Sequence, residues 1–359
     1  MRRSPALILG GGPAGAAAAI ALARHGIRAT ILERTREVGD ALCGGFLSWR
    51  TLAAVERLGI AADALNPATI TRLRLCVGDR IAEAPLPAPA RAVSRARLDQ
   101  LLLDRAAALG VGIERGVAIR ALDGRTARLA DGADLTGDAV LLATGKHDLR
   151  GTPRDAPAAV DPILGLRVRL PAVPAIGDTI ELHLFDRGYA GIAVQEDGAA
   201  NVCMAVARSR LHEAGSAHDL LRSLAAESPL FADRLTTLDS AAPVDAVANV
   251  PYGWRTATTH DDVYRLGDQA AVIPSLAGEG IGIALASGVM AADMIAAGGS
   301  ADGYQRRFAA RSARPLAAAG VVRALADRPL GIRLLLGAVP LPGVSQLVAR
   351  LTRISYPSH

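Results

Sequence analysis

The chain has 359 residues, 50% of them hydrophobic, which is enough to bury a sizeable core and, on length, to fold as two domains or one large one. Its net charge of +5 rests almost wholly on arginine, since Lys146 is the only lysine, and the arginines are scattered without the basic and aromatic interleaving of a nucleic-acid surface. Cys43, Cys76 and Cys203 are odd in number and far apart, and no histidine joins them at ligand spacing, so a reduced cytoplasmic protein with no structural metal is expected.

Met1-Arg2-Arg3 precedes apolar residues as in a signal peptide, but a cleavage site would fall inside the glycine turn that follows, so targeting is rejected. Ala6-Leu7-Ile8-Leu9 reads as a buried strand running into Gly10-Gly11-Gly12-Pro13-Ala14-Gly15 and an alanine-rich helix to Arg24. Gly10, Gly12 and Gly15 fill Gly-x-Gly-x-x-Gly: the first permits the tight turn, the second lets a phosphate approach, and the third lets helix pack on strand. A second strand, Ala29 to Leu32, ends in Glu33 at the spacing from which a carboxylate accepts ribose hydroxyls. Glycine-rich turns also occur for packing alone. Strand, helix, second strand and acid in register point instead to a dinucleotide held at the helix N-terminus.

The run from Val38 to Ser48, with Cys43-Gly44-Gly45, suits close backbone approach to a planar ligand, and Ser48 should cap a helix to about Leu58. Thr71 to Val77 and Arg80 to Ala84 read as a hairpin, and Pro85, Pro87 and Pro89 as an extended connector. Ser94 should cap a helix from Arg95 to Leu109. Short strands then lead to a buried strand, Ala139 to Thr144, ending at Gly145.

From Ile163 the pattern alternates: strands are expected at Ile163 to Leu170, Thr179 to Phe185, Tyr189 to Gln195 and Asn201 to Val206, a meander with one polar face. A helix is expected over His212 to Ala226 and a returning strand over Val244 to Asn249. Val263 to Asp268 is a strand ending at a turn, and Pro274 to Gly280 opens a small-residue helix, Ile281 to Ala297. The tail from Leu316 is apolar but broken by Pro329, Pro340 and Pro342 and studded with arginine, short of the ~20 unbroken apolar residues of a span. Helices packed on the nucleotide domain are expected there, with a membrane-surface face as the alternative.

Three segments resemble one superfamily, the flavoproteins that include para-hydroxybenzoate-hydroxylase-type monooxygenases and geranylgeranyl reductases. GGGPAG with Glu33 resembles its FAD fingerprint, Val93 to Asp99 its Arg-x-x-Leu helix, and Gly267-Asp268 with Pro274, Gly278 and Gly280 its Gly-Asp motif. The resemblance implies an α/β fold: a Rossmann-type FAD-binding domain (1–70, 91–160 and 256–298), an inserted antiparallel β-sheet substrate domain (71–90 and 161–255) and a C-terminal helical region (299–359). It implies non-covalent FAD, held by Gly10, Gly12, Pro13, Ala14, Gly15, Glu33 and Arg34 at the ADP half, with Arg95 along the pyrophosphate. Cys43, Gly44, Gly145, Gly267, Asp268, Pro274, Gly278, Gly280 and Ile281 would complete the cofactor site, Asp268 taking a ribityl hydroxyl.

The hydroxylases' middle motif keeps only its ends here, Gly145 and Arg154, while Lys146, Arg150 and Arg154 are candidate phosphate contacts. Cys43-Gly44 resembles the reductases' Cys-Gly pair, whereas Tyr189 to Val194 lacks their aromatic signature. Because flavin carries the redox chemistry, the chain must supply a pocket at its reactive edge. Cys43, His183, Tyr189, Tyr252 and Trp254 are the candidate catalytic residues there, with packing roles as the alternative. The resemblance implies an NAD(P)H-driven monooxygenase acting on an apolar or aromatic small molecule. A reductase saturating an alkene of a lipid or prenyl substrate, and an FAD-binding protein without turnover, are the alternatives.

Overall fold

A computed structural model describes residues 2–171, 176–259 and 262–356, and the expected domain bounds that reach 172–175, 260–261 and 357–359 lie outside the described residues. The chain opens with β1 (Arg2–Leu9), α1 (Pro13–Arg24) and β2 (Ala29–Glu33), then a two-residue β3 (Phe46–Leu47). Next come α2 (Trp49–Arg57), the single turn α3 (Ala62–Leu65), the hairpin β4 (Ile70–Val77) and β5 (Arg80–Ala92), and α4 (Arg95–Ala108). Ser48 and Ser94 cap α2 and α4 as expected, their hydroxyls accepting from Thr51 N and Arg97 N, orphan donors of the first turn. Four strands follow: β6 (Gly112–Arg115), β7 (Ile119–Asp123), β8 (Thr126–Leu129) and β9 (Asp134–Leu142).

The alternating region forms β10 (Ile163–Leu170), β11 (Thr179–Phe185), β12 (Gly188–Val194) and β13 (Ala200–Ala207). Two short helices, α5 (Arg208–Ala214) and α6 (Ala217–Glu227), replace the single expected helix, and a third, α7 (Pro229–Arg234), follows them. The break is physical: Gly215 turns with φ +92° and Ser216 starts a new helix by capping Asp219 N. After β14 (Asp245–Val247) and β15 (Val263–Arg265) come α8 (Gly280–Ala296), α9 (Ala301–Ala326), α10 (Pro329–Ala338) and α11 (Val344–Thr352).

The strands make two sheets. The first runs β6-β2-β1-β9-β8-β7 with β15 on the far side of β9, and its β6, β2, β1, β9 and β15 are parallel. Being covered on both faces, its centre reads as a continuous apolar run, Ala6 to Leu9, with no exposed residue. Alanine and glycine let α1 and α8 press together: a Cβ on Gly288 would stand 2.8 Å from Ala18 N.

The second sheet runs β14-β10-β13-β12-β11-β4-β5-β3 and is antiparallel except where β4 meets β11. Two expectations change here. The proline stretch is not a connector but part of β5, pairing at Pro85 with Arg72 and at Ala90 with Ile70 around a register slip; the two-residue β3 meets β5 at Arg91 and Ala92, beyond the prolines, so their outer side is open and tolerates residues that cannot donate. The meander also has no polar solvent face of the kind expected: α6 and α7 bury Leu220, Leu221, Leu224 and Phe231 against Leu166, Val168 and Val202. On the other side, α10 and α11 lie against this sheet and not on the nucleotide side as expected, Leu336 packing with Leu75, Leu184 and Tyr189.

Candidate functional site

A cavity of about 920 Å³ is bordered by the glycine turn after β1, the loop 38–46, one face of β11 and β12, and the C-terminal helices. At its nucleotide end, Gly12 precedes α1 without a side-chain cap, leaving the first-turn N–H groups to the cavity. Gly10, with φ +113°, and Gly15 make this possible, since a Cβ on either would run into the carbonyl oxygen of Ala143 or of Gly10. Gly10, Gly12, Pro13 and Ala14 line the cavity, and Gly15 sits behind them against Ile8.

Glu33 ends β2 and turns into the same space. Its Oε2 accepts from Gly11 N at 2.8 Å and its Oε1 from Thr35 N at 3.0 Å and Thr35 Oγ1 at 2.9 Å. Burial opposes its ionisation, but the backbone donors of Thr35 and Gly11 outweigh it and hold the carboxyl below its usual range. Each carboxylate oxygen has further lone-pair capacity for a hydroxyl. Arg34 reaches the cavity wall with Nη2 2.9 Å from His147 Nε2.

Arg95, first residue of α4, pairs through Nε and Nη2 with Asp99 at 2.9 and 2.7 Å, and Nη2 stands 3.3 Å from where a Cβ on Gly12 would lie. The guanidinium is thus aimed at the glycine turn. Asp40, which the sequence reading missed, fastens it: Oδ1 accepts from Arg95 N at 2.8 Å, and Oδ2 from Arg167 at 2.8 Å and Arg169 at 3.1 Å, both on β10. One carboxylate therefore ties the start of α4 to the second sheet.

Cys43 and Gly44 line the cavity, with Cys43 Sγ accepting from Gly45 N at 3.4 Å and the Cys43 carbonyl from Asn201 Nδ2 at 2.9 Å. Gly145, Gly267, Asp268, Gly278, Gly280 and Ile281 also line it, whereas Pro274 is buried beside it. Asp268 lies in a 3-10 turn and is not the cap of α8, whose first turn follows Glu279 with no side-chain cap. Lys146 borders the cavity with Nζ on the Leu42 carbonyl at 3.2 Å. Arg154 is a strut, not a phosphate contact: it pairs with Asp148 at 2.7 Å and donates to the carbonyls of Lys146 and Asp268. Arg150 is exposed and lies outside the cavity lining.

The candidate catalytic residues divide. Tyr189 and Tyr252 line the cavity and share Ser275: their hydroxyls both meet its Oγ, that of Tyr252 at 2.6 Å. Burial keeps Tyr189 well above the ordinary phenol range and pushes Tyr252 up to about 12, so both hold their protons. Ser275, missed by sequence reading, sits one residue past Pro274 in the loop already marked there.

His183 is not in this pocket. Strand alternation sends Ile180, Leu182 and Leu184 to the cavity and Glu181 and His183 to the back of β11, where His183 meets Glu181 at 3.2 Å and the Phe231 ring at 5.1 Å. Trp254 is likewise turned away, with Nε1 on the Asp155 carbonyl at 3.1 Å.

Beyond the nucleotide end the lining is apolar: Leu73, Leu75, Leu182 and Leu184 from the second sheet, with Leu335, Val339 and Val348 from the tail. Arg353 is the one charged side chain among the described residues of this half, and it is committed, Nε 3.2 Å from Glu279 Oε2 and Nη1 2.5 Å from the Ala277 carbonyl.

Two uncapped helix N-termini, an arginine, and carboxylates at Glu33 and Asp268 match an anionic pyrophosphate, sugar hydroxyls and an electron-accepting ring, the parts of FAD.

Residues 3–140 match the FAD binding domain family. The menaquinone reductase of Mycolicibacterium smegmatis is 26% identical over 328 residues, covering 84% of this chain and 78% of that protein. The 3-hydroxybenzoate 6-hydroxylase of Klebsiella oxytoca is 39% identical over 66 residues, 18% of this chain and 17% of that protein. Among solved structures, a geranylgeranyl bacteriochlorophyll reductase-like protein from Thermoplasma acidophilum superposes with TM-score 0.78 at 19% identity, over 97% of this chain and 96% of the other. Residues 3–140 are thus an FAD-binding domain, and over most of its length the chain is similar in sequence to a menaquinone reductase and in fold to a geranylgeranyl reductase-like protein.

Proposed function

We propose that the chain is a reductase that adds two hydrogens across a carbon–carbon double bond of a prenyl-type lipid, with NAD(P)H as the electron source. One observation carries this reading: the substrate half of the cavity is walled largely by leucine and valine, and the hydroxyls of Tyr189, Tyr252 and Ser275 meet in it. An aromatic acid would need a cation for its carboxylate, and Arg353, the charge of that half, is already paired. Likeness to a menaquinone reductase over 84% of the chain supports reduction ahead of hydroxylation, the order opposite to that drawn from sequence.

In this reading Gly12, Ala14 and Arg95 hold the FAD pyrophosphate, Glu33 the ribose and Asp268 the ribityl chain, while the α8 N-terminus faces the ring. Residues 71–90 and 161–255 then serve as the substrate domain and 299–359 as its cover. Bound FAD supplies the hydride; the chain supplies the rest. Leu182, Leu184 and Val339 exclude water and hold the alkene, and Tyr252 Oη, kept protonated by burial, delivers the balancing proton, with Ser275 and Tyr189 relaying its replacement. The net change is C=C plus hydride plus proton to CH–CH.

The test is anaerobic incubation of the FAD-loaded protein with NADH or NADPH and a detergent-dispersed polyprenyl substrate. A product two mass units heavier, formed as the reduced nicotinamide is consumed, is expected. Incorporation of an oxygen atom in air, with no reduction anaerobically, would overturn the reading.

A further inference from the structure

Among the large hydrophobic side chains that the described residues leave exposed, most lie together in the tail: Val321, Leu330, Leu334, Leu341 and Leu347 are 55–69% exposed. Leu330 and Leu334 stand one helical turn apart on α10, opposite Leu335 and Leu336, which face the interior, so this short helix is apolar on both sides. The α11 helix repeats the arrangement, with Leu347 outward and Val348 on the cavity. Polar residues on the outer faces are cations. Between 316 and 356 the charged residues are five arginines and one acid, Asp327, which faces Arg323 at 3.6 Å. With Arg353 buried on Glu279, Arg328, Arg333 and Arg350 remain exposed beside the leucines.

We propose that α10 and α11 form a membrane-docking face that seats in the headgroup layer of an anionic bilayer. Exposed leucines on a thin amphipathic pair, ringed by arginine and without carboxylates, have the chemistry of an interfacial helix. No helix of the described residues is long and apolar enough to cross a membrane, so the pair lies on the surface. Continuity gives the face its purpose: residues 335, 339, 344 and 348 of the same segment line the cavity, so a chain leaving the acyl layer meets apolar surface all the way in. Ser345 donates to the carbonyl of Pro85 at 3.1 Å, joining α11 to β5, whose Leu86 and Pro87 are also cavity wall. The lipid character of the cargo rests on the reductase reading; the docking face itself does not.

The experiment is co-sedimentation of the full-length FAD-loaded protein with vesicles of phosphatidylcholine alone or containing phosphatidylglycerol, at low and high salt. Preferential binding to the anionic vesicles, weakened by salt, is expected. Leu330→Asp with Leu334→Asp should weaken it by roughly a hundredfold, about tenfold for each leucine no longer buried. Arg333→Glu should weaken it about fivefold or more. All three residues are exposed, so the variants should keep the wild-type flavin spectrum and melting temperature, which separates lost docking from misfolding. Vesicle binding equal to wild type in both variants, or binding that ignores lipid charge, overturns the proposal. So does a leucine variant that splits a wild-type oligomer while binding vesicles normally, because the face would then belong to a second copy of the chain. Reduction of a detergent-dispersed substrate is scored in parallel: its failure with docking intact refutes the reductase reading alone, and its success with docking absent refutes the face alone.

Discussion

Glu279 and Arg353 offer the sharpest test of the electrostatics behind the cavity. Glu279 is fully buried at the head of α8; its Oε2 accepts from Ser48 Oγ at 3.4 Å, its Oε1 from Ile354 N at 3.2 Å, and Arg353 stands 3.2 Å away. Desolvation outweighs these partners and raises its pKa from 4.5 to about 7. A raised acid binds its proton more tightly folded than unfolded, so its contribution is present at low pH and is lost as pH rises from 4.5 through about 7. At ~1.4 kcal/mol per unit this loss is about 3 kcal/mol. Arg353→Met removes the one countercharge that, among the described residues, is in contact with the carboxylate, and moves the window upward.

Near pH 5 Glu279 is neutral in both proteins and the substitution should cost little. Near pH 8 the wild-type carboxylate is ionised against Arg353, while the variant's, its window moved upward, keeps its proton and forgoes that pairing; the extra cost is at most ~1.4 kcal/mol, set by the one unit above about 7. For a chain of 359 residues this lowers the melting temperature by about 2 °C. Thermal unfolding of the FAD-loaded protein at the two pH values measures the difference, and adding Glu279→Gln should abolish it. Equal losses at both pH values would refute the argument.

Glu33→Ala and Asp268→Ala should each raise the FAD dissociation constant roughly tenfold to a hundredfold, read by fluorescence titration of the apoprotein, because each deletes a charged acceptor at the cavity wall. Tyr252→Phe removes the buried donor hydroxyl and should slow reduction by ~10²-fold or more while FAD and substrate still bind, measured by single-turnover oxidation of the reduced flavin. Trp254→Ala should leave both FAD affinity and turnover unchanged. His183→Ala should lower stability by about 1–3 kcal/mol in denaturant melts without changing the flavin spectrum, since it removes a ring packed on Phe231 at the back of the sheet.

Local signals carried much of the architecture. The apolar run to Leu9, the glycines of the first turn and the acid at Glu33 lie within one βαβ unit, so spacing alone identifies a dinucleotide end. The serine caps at 48 and 94 and the ends of β10 and β11 are equally local, set by hydrogen bonds within three residues or by a period of two. Tertiary structure decided what depends on partners distant in sequence. The face on which His183 falls is a matter of strand register, since a shift of one residue exchanges it with Leu182 or Leu184. Asp40 tethers residues 55 and 127 positions away, and nothing in its neighbours announces them. The tail shows the same division. Its leucines and arginines are plain in the sequence, but only packing against the second sheet determines which leucines wall the cavity and which are left facing outward, because an apolar helix has no preferred side until a surface claims one.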